Sequence, residues 1–350
     1  MIRATPFHGR AAAANLLNLW EPRGGFTLAV HYGDAQAEAL ARHLTAAMAD
    51  ISWRWRLSIQ GARAEEFLVR LMTKDASKLA PGTAFKAAWL SDKGGVRGAG
   101  VLARHGRETF ELTAAAPDLA WIAQGAALFG VAVRETTEEQ GGLALAGPYA
   151  AQIVEAAGLG AALEPLALRK VFWRGADVTL SRFGEHGGYE IWCKPDDALL
   201  VWDRLAKAGA PYALKPVGLQ AMDVADLEAG VARPERDYAP ARDGFASTPT
   251  PWELGLESLV DTEHMLFNGR AAALSAPRGK TRVGIALDGD TPMPQAPLLR
   301  HGETVGRTLG SLYSPALKRA IALAVVDNSA AAPGTQLDGG RVATLPFLPG

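Results

Sequence analysis

Three features of the sequence predict an α+β chain built as two or three modest domains. Its 350 residues allow a substantial buried core spread over more than one ordinary domain. Helical apolar stripes stand beside period-two runs, and the period changes just after Asp50. The last third breaks into short strand-like runs punctuated by Gly and Pro, as a small terminal barrel requires.

Residues 35–49 place Ala37, Leu40, Ala41, Leu44 and Met48 on one stripe, which predicts an amphipathic helix. Residues 53–60 then alternate as a half-buried strand, with Trp53 and Trp55 on the same side, until Gly61 closes it. A second helical stripe covers 64–72, and Pro81-Gly82 precedes a strand over 84–90. Gly94-Gly95 turns that strand into the next one, at 101–103. Residues 143–146 form a strand, Gly147-Pro148 breaks it, and 149–157 continue as a helix. Strands at 178–180 and 189–192 flank a Gly-rich loop. Pro195-Asp-Asp197 opens a helix reaching about Lys207, with acidic residues suited to the helix dipole. A last helix over 217–227 delivers Glu228-Ala-Gly230 to its carboxyl end. No internal repeat or low-complexity tail is present.

The formal net charge is −1, and Lys and Arg are scattered rather than striped, which argues against nucleic acid as a main partner. The apolar runs fall short of the roughly 18 residues that span a bilayer. The amino terminus has no basic-then-apolar leader, so a cytoplasmic location without membrane contact is expected. The single cysteine, Cys193, excludes an intrachain disulfide and a thiolate cluster. It reads either as a small packed hydrophobe or as a reactive thiol. The seven histidines stand singly, with no pair at i, i+4, so no metal site is expected.

The most informative segment is Ser181-Arg-Phe-Gly-Glu-His-Gly-Gly-Tyr-Glu-Ile-Trp192, followed by Asp226-Leu-Glu-Ala-Gly230. An ionised carboxylate such as Glu190 can accept two N–H groups at once from the amide and amidine edge of a flat heterocycle. Burying it without such a partner would be costly. Further segments fall in order around it: Asp50-Ile-Ser52, Gly94-Gly95, Leu145-Ala-Gly-Pro148, Pro216-Val-Gly-Leu219, Glu253-Leu-Gly-Leu256, Phe267-Asn-Gly-Arg270 and Tyr313-Ser-Pro315. Together they resemble the glycine-cleavage T-protein (aminomethyltransferase) family over nearly the whole chain. In that family the Glu of a Gly-Tyr-Glu segment reaches the pterin ring of tetrahydrofolate. The entrance segments Thr5-Pro-Phe-His8, Trp20-Glu-Pro-Arg-Gly-Gly25 and Tyr32-Gly-Asp34 resemble the branch containing folate-dependent methyl-ether and methyl-sulfonium demethylases.

The resemblance implies a three-domain cloverleaf around a central cavity. Residues 1–50 and 140–245 would form a discontinuous folate-binding domain, 51–139 an inserted α+β domain, and 246–350 the carboxyl-terminal β-barrel. It also implies tetrahydrofolate as cofactor, with Glu190 orienting the pterin and Tyr189, Arg182 and Trp53 shaping its pocket.

The chain departs from the family at three places. Gly98 and Ala99, in Gly94-Gly-Val-Arg-Gly-Ala-Gly100, stand where aminomethyltransferases carry an Asp pair. Met222 stands where they carry an Arg that holds the glutamate tail of folate. The Gly-rich loop is two residues shorter and lacks an inner Tyr. Ammonia release from an aminomethyl group needs a proton manager near that nitrogen. Methyl transfer to N5 can rest more on positioning. The expected function is therefore a tetrahydrofolate-dependent methyltransferase acting as a demethylase. A small organic acid would give an O-, S- or N-methyl group to N5 of tetrahydrofolate. Tyr32 and Tyr238 are the catalytic candidates, as donors to the leaving group, while Trp55, His186 and Arg242 are placed on the substrate side. Two alternatives stand beside it: a relative that has lost folate chemistry and works on another ligand, such as a lyase, and a true aminomethyltransferase served by a lipoyl carrier protein. The missing carboxylates disfavour the second, and with it the carrier as partner.

Overall fold

The computed structural model describes residues 2–183, 188–242 and 249–348, and its chain divides into two compact units. The first unit comprises Met1–Arg56, Gly82–Ala84 and Thr136–Ala225; the second comprises Leu57–Pro81, Phe85–Glu135 and Asp226–Gly350. Both mix helix and sheet, as an α+β chain should.

The first unit is built on a six-stranded sheet. Its order is Leu168–Trp173, Ala176–Ser181, Tyr189–Cys193, Gly141–Ala146, Ala46–Asp50 and Leu214–Val217. All neighbours are antiparallel except the last pair, which is parallel. Because side chains alternate along a strand, Leu143, Leu145, Val178, Leu180, Tyr189, Ile191 and Cys193 share one face. There they pack on the helices Ala150–Ala156 and Ala198–Gly209 through Ile153, Val154, Val201, Trp202 and Leu205.

The helix expected over 35–49 ends at Leu44. Its start is fixed by Asp34, whose carboxylate accepts the N–H groups of Gln36 and Ala37. At Thr45 the backbone turns to φ −139°, ψ −105°, and Ala46–Asp50 continues as a strand buried at every position. This corrects the sequence reading. A strand covered on both faces carries no polar alternation, so an alanine-rich run extends a helical stripe without being helix.

Asp50 ends that strand at 5% exposure. It accepts the Thr5 hydroxyl at 2.6 Å, the Ser52 hydroxyl at 2.7 Å and the Ser52 N–H at 3.0 Å. Burial pushes its carboxyl above the usual range, against the pull of these bonds. A carboxyl whose folded pKa is raised binds more protons in the native state, so its contribution to stability is complete below the unfolded pKa. That contribution is lost as pH climbs through the folded value. Asp50→Asn removes this titration, so the melting-temperature difference between variant and wild type should move in favour of the variant from about pH 4 to about pH 7. Scanning calorimetry of both proteins at the two pH values measures it.

The second unit holds two sheets. One is ordered Thr83–Leu90, Val96–Arg104, Thr109–Ala114, Trp55–Gln60 and Ala132–Glu135, with the expected turn at Gly94-Gly95. The strand predicted from residue 53 begins at Trp55; Trp53 lies before it in a turn closed by the Arg54 N–H on the Ile51 carbonyl. The terminal sheet is ordered Pro297–Arg300, Glu303–Ser314, Arg319–Asp327, Lys280–Leu287, Gly340–Ala343 and Gln336–Leu337. The Asp338 N–H donates to the Leu299 carbonyl at 2.8 Å, drawing the two edge strands together into a nearly closed barrel. Val283, Ile285, Ala322, Ala324, Val326 and Val342 fill it.

Among the described residues, no helix is long and apolar enough to cross a membrane, and no cluster of His, Cys, Asp or Glu could hold a metal ion.

Candidate active site

Glu190 sits on the sheet face opposite the helical core. It shares that face with its cross-strand neighbours Ser181 and Ala144 and, two residues on, with Trp192. The carboxylate is 2% exposed, and both of its oxygens are engaged. Oε1 accepts from Arg54 Nη1 at 2.5 Å, and Oε2 accepts from the Trp192 indole N–H at 3.1 Å. Arg56 stacks over the Trp192 ring at 3.7 Å, and its backbone N–H donates to the Thr137 hydroxyl. Trp192 fits because the adjacent strand offers Gly142. A Cβ there would lie 2.4 Å from the indole.

Among the polar atoms buried without a hydrogen-bond partner are the Ser181 hydroxyl, across the ladder from Glu190, and the indole N–H groups of Trp53 and Trp55. A buried polar group left unsatisfied is costly, so these atoms are candidates for bonding a ligand. Trp53 packs with Phe26, Leu28, Leu219 and Met222. Its ring is covered by Arg23, which grips Asp223 through two hydrogen bonds of 2.9 and 3.0 Å.

The other residues singled out in the sequence are placed as follows. Tyr189 points from the opposite face of the strand into the helical core, and Arg182 lies over its ring while donating to the Leu163 carbonyl. Cys193 is in the same core, and burial pushes its thiol up to about 12, the behaviour of a packed hydrophobe. Tyr32 is at the edge of that core, 8% exposed. Burial, then Asp50 and Glu38, raise its phenol above the ordinary tyrosine range. Trp55 is buried at the start of its strand. His186 lies outside the described residues.

In the second unit, Tyr238 and Arg242 line one cavity of about 560 Å³ together with Arg236, Glu253 and Arg307. Burial, then the Asp237 charge, raises the Tyr238 phenol. Arg242 donates to Glu235 at 2.6 Å. Glu228, in the segment after the Gly-rich loop, is buried and accepts the Ser314 hydroxyl at 2.6 Å.

Gly98 is enclosed. A Cβ on it would lie 2.2 Å from the Trp89 ring. That ring is fully buried, and its N–H donates to Asp118, which Arg97 holds in a two-point grip. Ala99, on the other side of the strand, packs against the cluster containing Tyr238 and Trp252.

Sequence reasoning missed Arg54, Arg56, Trp192 and Ser181. For the two arginines the alternation Trp53-Arg-Trp-Arg56 was the one signal, and it reads equally well as an ordinary half-exposed strand; Ser181 and Trp192 bound the segment already singled out, but with no role assigned to them.

Comparison with known proteins agrees with this architecture. A family model described as the GCVT N-terminal domain matches residues 11–264, and one described as the glycine cleavage T-protein C-terminal barrel domain matches residues 280–341. The chain belongs to this family. It is 31% identical to an aminomethyltransferase of Chlorobium limicola, covering 93% of this chain and 94% of that one. It is 32% identical to one from Thermus thermophilus, covering 93% of each. The crystal structure of glycine cleavage system aminomethyltransferase T from Bartonella henselae shares the fold, with a TM-score of 0.88, 24% identity and coverage of 99% and 98%.

Proposed function

We propose that this protein is a tetrahydrofolate-dependent one-carbon transferase in which Glu190 receives the N–H edge of the pterin. The observation that carries the reading is the placement of Glu190. It is a buried carboxylate facing away from the helical core, beside a Ser181 hydroxyl that is buried without a hydrogen-bond partner. These residues suit a flat ligand with a donor edge and flanking acceptors. Tetrahydrofolate, when bound, supplies the nitrogen that accepts the one-carbon unit. The chain's own part is to orient the ring through Glu190 and to flank it with the Trp53 indole. Tyr238, a phenol that carries its proton at neutral pH, is the proposed donor to a departing anion.

The finer reading is methyl transfer from an O-, S- or N-methyl group of a small organic acid to N5. The enclosure of Gly98 favours it, because no side chain can project a proton-managing carboxylate from a position filled by the Trp89 ring. A second reading, aminomethyl transfer with a lipoyl carrier as partner, is favoured by the names of relatives matched over nine-tenths of both chains.

Two measurements test these readings. In a calorimetric titration with tetrahydrofolate, Glu190→Gln should bind more weakly than wild type by about 1.5–3 kcal/mol, the worth of a hydrogen bond to a charged group. Equal affinity, or no binding by wild type, would sink the folate reading. In turnover assays, methyl ethers, sulfonium acids and betaines should yield methyl-tetrahydrofolate, and aminomethylated lipoyl carrier should yield none of the methylene form. Robust methylene-tetrahydrofolate production would overturn methyl transfer in favour of the second reading.

A further inference from the structure

The group that covers Glu190 is Arg54. The Glu190 side chain is 3% exposed and that of Arg54 is 23% exposed, so Arg54 is the member of the pair that reaches solvent. A guanidinium and the amidine edge of a 2-aminopyrimidinone ring present a carboxylate with the same kind of partner, N–H donors on a planar carbon–nitrogen frame. Arg54 therefore occupies the position on Glu190 that such a ligand needs.

The manner of its hold also matters. The other deeply buried Asp–Arg pairs of the described residues, Arg23–Asp223, Arg97–Asp118 and Arg233–Asp237, are two-point grips. Arg54 touches Glu190 through a single nitrogen, from a turn that precedes a strand. A one-point pair at a partly exposed turn gives up less geometry and less energy on opening than a fork. The Trp192 indole N–H, by contrast, holds Oε2 from the same strand and stays with it. Ser181, directly across the ladder, remains without a partner while Arg54 is in place.

We propose that Arg54 is a built-in occupant of the Glu190 cradle and a specificity-determining residue: ligands reach Glu190 by displacing the guanidinium into solvent, and only a planar donor edge can replace it. The identity of the ligand rests on the folate reading; the displacement does not. When Arg54 leaves, the Oε1 side of a buried carboxylate would be stranded, which selects for ligands that return an N–H donor to it and rejects those with acceptors at that edge.

The test uses the full chain with Arg54→Ala, with Arg54→Met as a variant that keeps the aliphatic stem packed, and with each combined with Glu190→Gln. Guanidinium chloride, kept well below denaturing concentration, is the first probe. It should raise the melting temperature of Arg54→Ala and Arg54→Met by refilling the cradle, and leave wild type and the Glu190→Gln double variants unmoved. Tetrahydrofolate is the second probe. It should bind both single variants more tightly than wild type, by roughly tenfold to a hundredfold, the range for freeing one hydrogen bond to a charged group. If guanidinium stabilises the single variants but no protein binds tetrahydrofolate, the cradle stands and the folate reading falls. If guanidinium has no Glu190-dependent effect, or if tetrahydrofolate binds the single variants no better than wild type while wild type binds it, the displacement proposal is overturned.

Discussion

Gly98→Asp is expected to unfold much of the protein's stability margin and to create no glycine-cleavage activity. The first atom of any side chain at Gly98 would fall 2.2 Å from Cζ2 of Trp89, with two further ring atoms at 2.6 and 2.7 Å. The ring cannot yield cheaply. It is fully buried, and its N–H is spent on Asp118, which Arg97 holds at 2.8 and 2.7 Å while stacking on Trp121. Overpacking of this kind costs about 1–3 kcal/mol, and a second buried carboxylate beside Asp118 adds several more unless it takes up a proton. Gly98→Ala separates the two effects, since it carries the collision without the charge. Urea denaturation should rank wild type above Gly98→Ala, and Gly98→Ala above Gly98→Asp. In a Trp89→Ala background, already weakened by its own cavity, Gly98→Ala should cost much less, because the colliding ring is gone. Equal cost in both backgrounds would show that the Trp89 contact is not what excludes a side chain here.

Much of this architecture was legible because it is local. The turn at Gly94-Gly95, the paired strands flanking the Gly-rich loop and the barrel strands of the last third all declare themselves through period and punctuation. The failures have specific causes. Residues 46–49 of the strand Ala46–Asp50 read as the end of a helix because a strand buried on both faces has no alternation to reveal it. Trp53 was placed on a strand that starts two residues later, an ordinary uncertainty at element ends. The division between Tyr189 and Glu190 could have been read in advance, since neighbours on a strand face opposite ways: if Glu190 leaves the core, Tyr189 enters it. Arg54 could not. Its partner is 136 residues away, and nothing local distinguishes an Arg that covers a buried acid from one that faces water. The Trp89 ring over Gly98 is equally invisible in the chain, where Gly98 reads only as a missing carboxylate.

Tyr238→Phe is expected to lower kcat by about 10²–10³, the loss typical of one preorganised hydrogen-bond donor, with little change in KM. Burial raises the Tyr238 phenol well above its ordinary range. Like any phenol it is protonated at neutral pH, and the raised value extends that state to higher pH, so in the proposed role it would meet a departing oxygen or sulfur as a donor rather than as an anion. The ring packs with Trp252, Leu254 and Phe267, and the residue lines the same cavity as Arg242, whose guanidinium suits the carboxylate of a small organic acid. Arg242→Ala should accordingly raise KM more than it lowers kcat, the opposite pattern to Tyr238→Phe. Tyr32 provides the comparison. Its phenol is also raised by burial, but its ring is part of the helical core of the first unit, with Phe7, Met48 and Tyr189. If Tyr32 serves mainly as packing, Tyr32→Phe keeps nearly all of the buried area and should change kcat far less than Tyr238→Phe does. Steady-state kinetics of the three variants at saturating tetrahydrofolate, with a methylated acid found by screening, separates the roles. A Tyr238→Phe enzyme with wild-type kcat would return that residue to packing and move leaving-group protonation to water. A larger loss at Tyr32 would place the donor in the first unit instead.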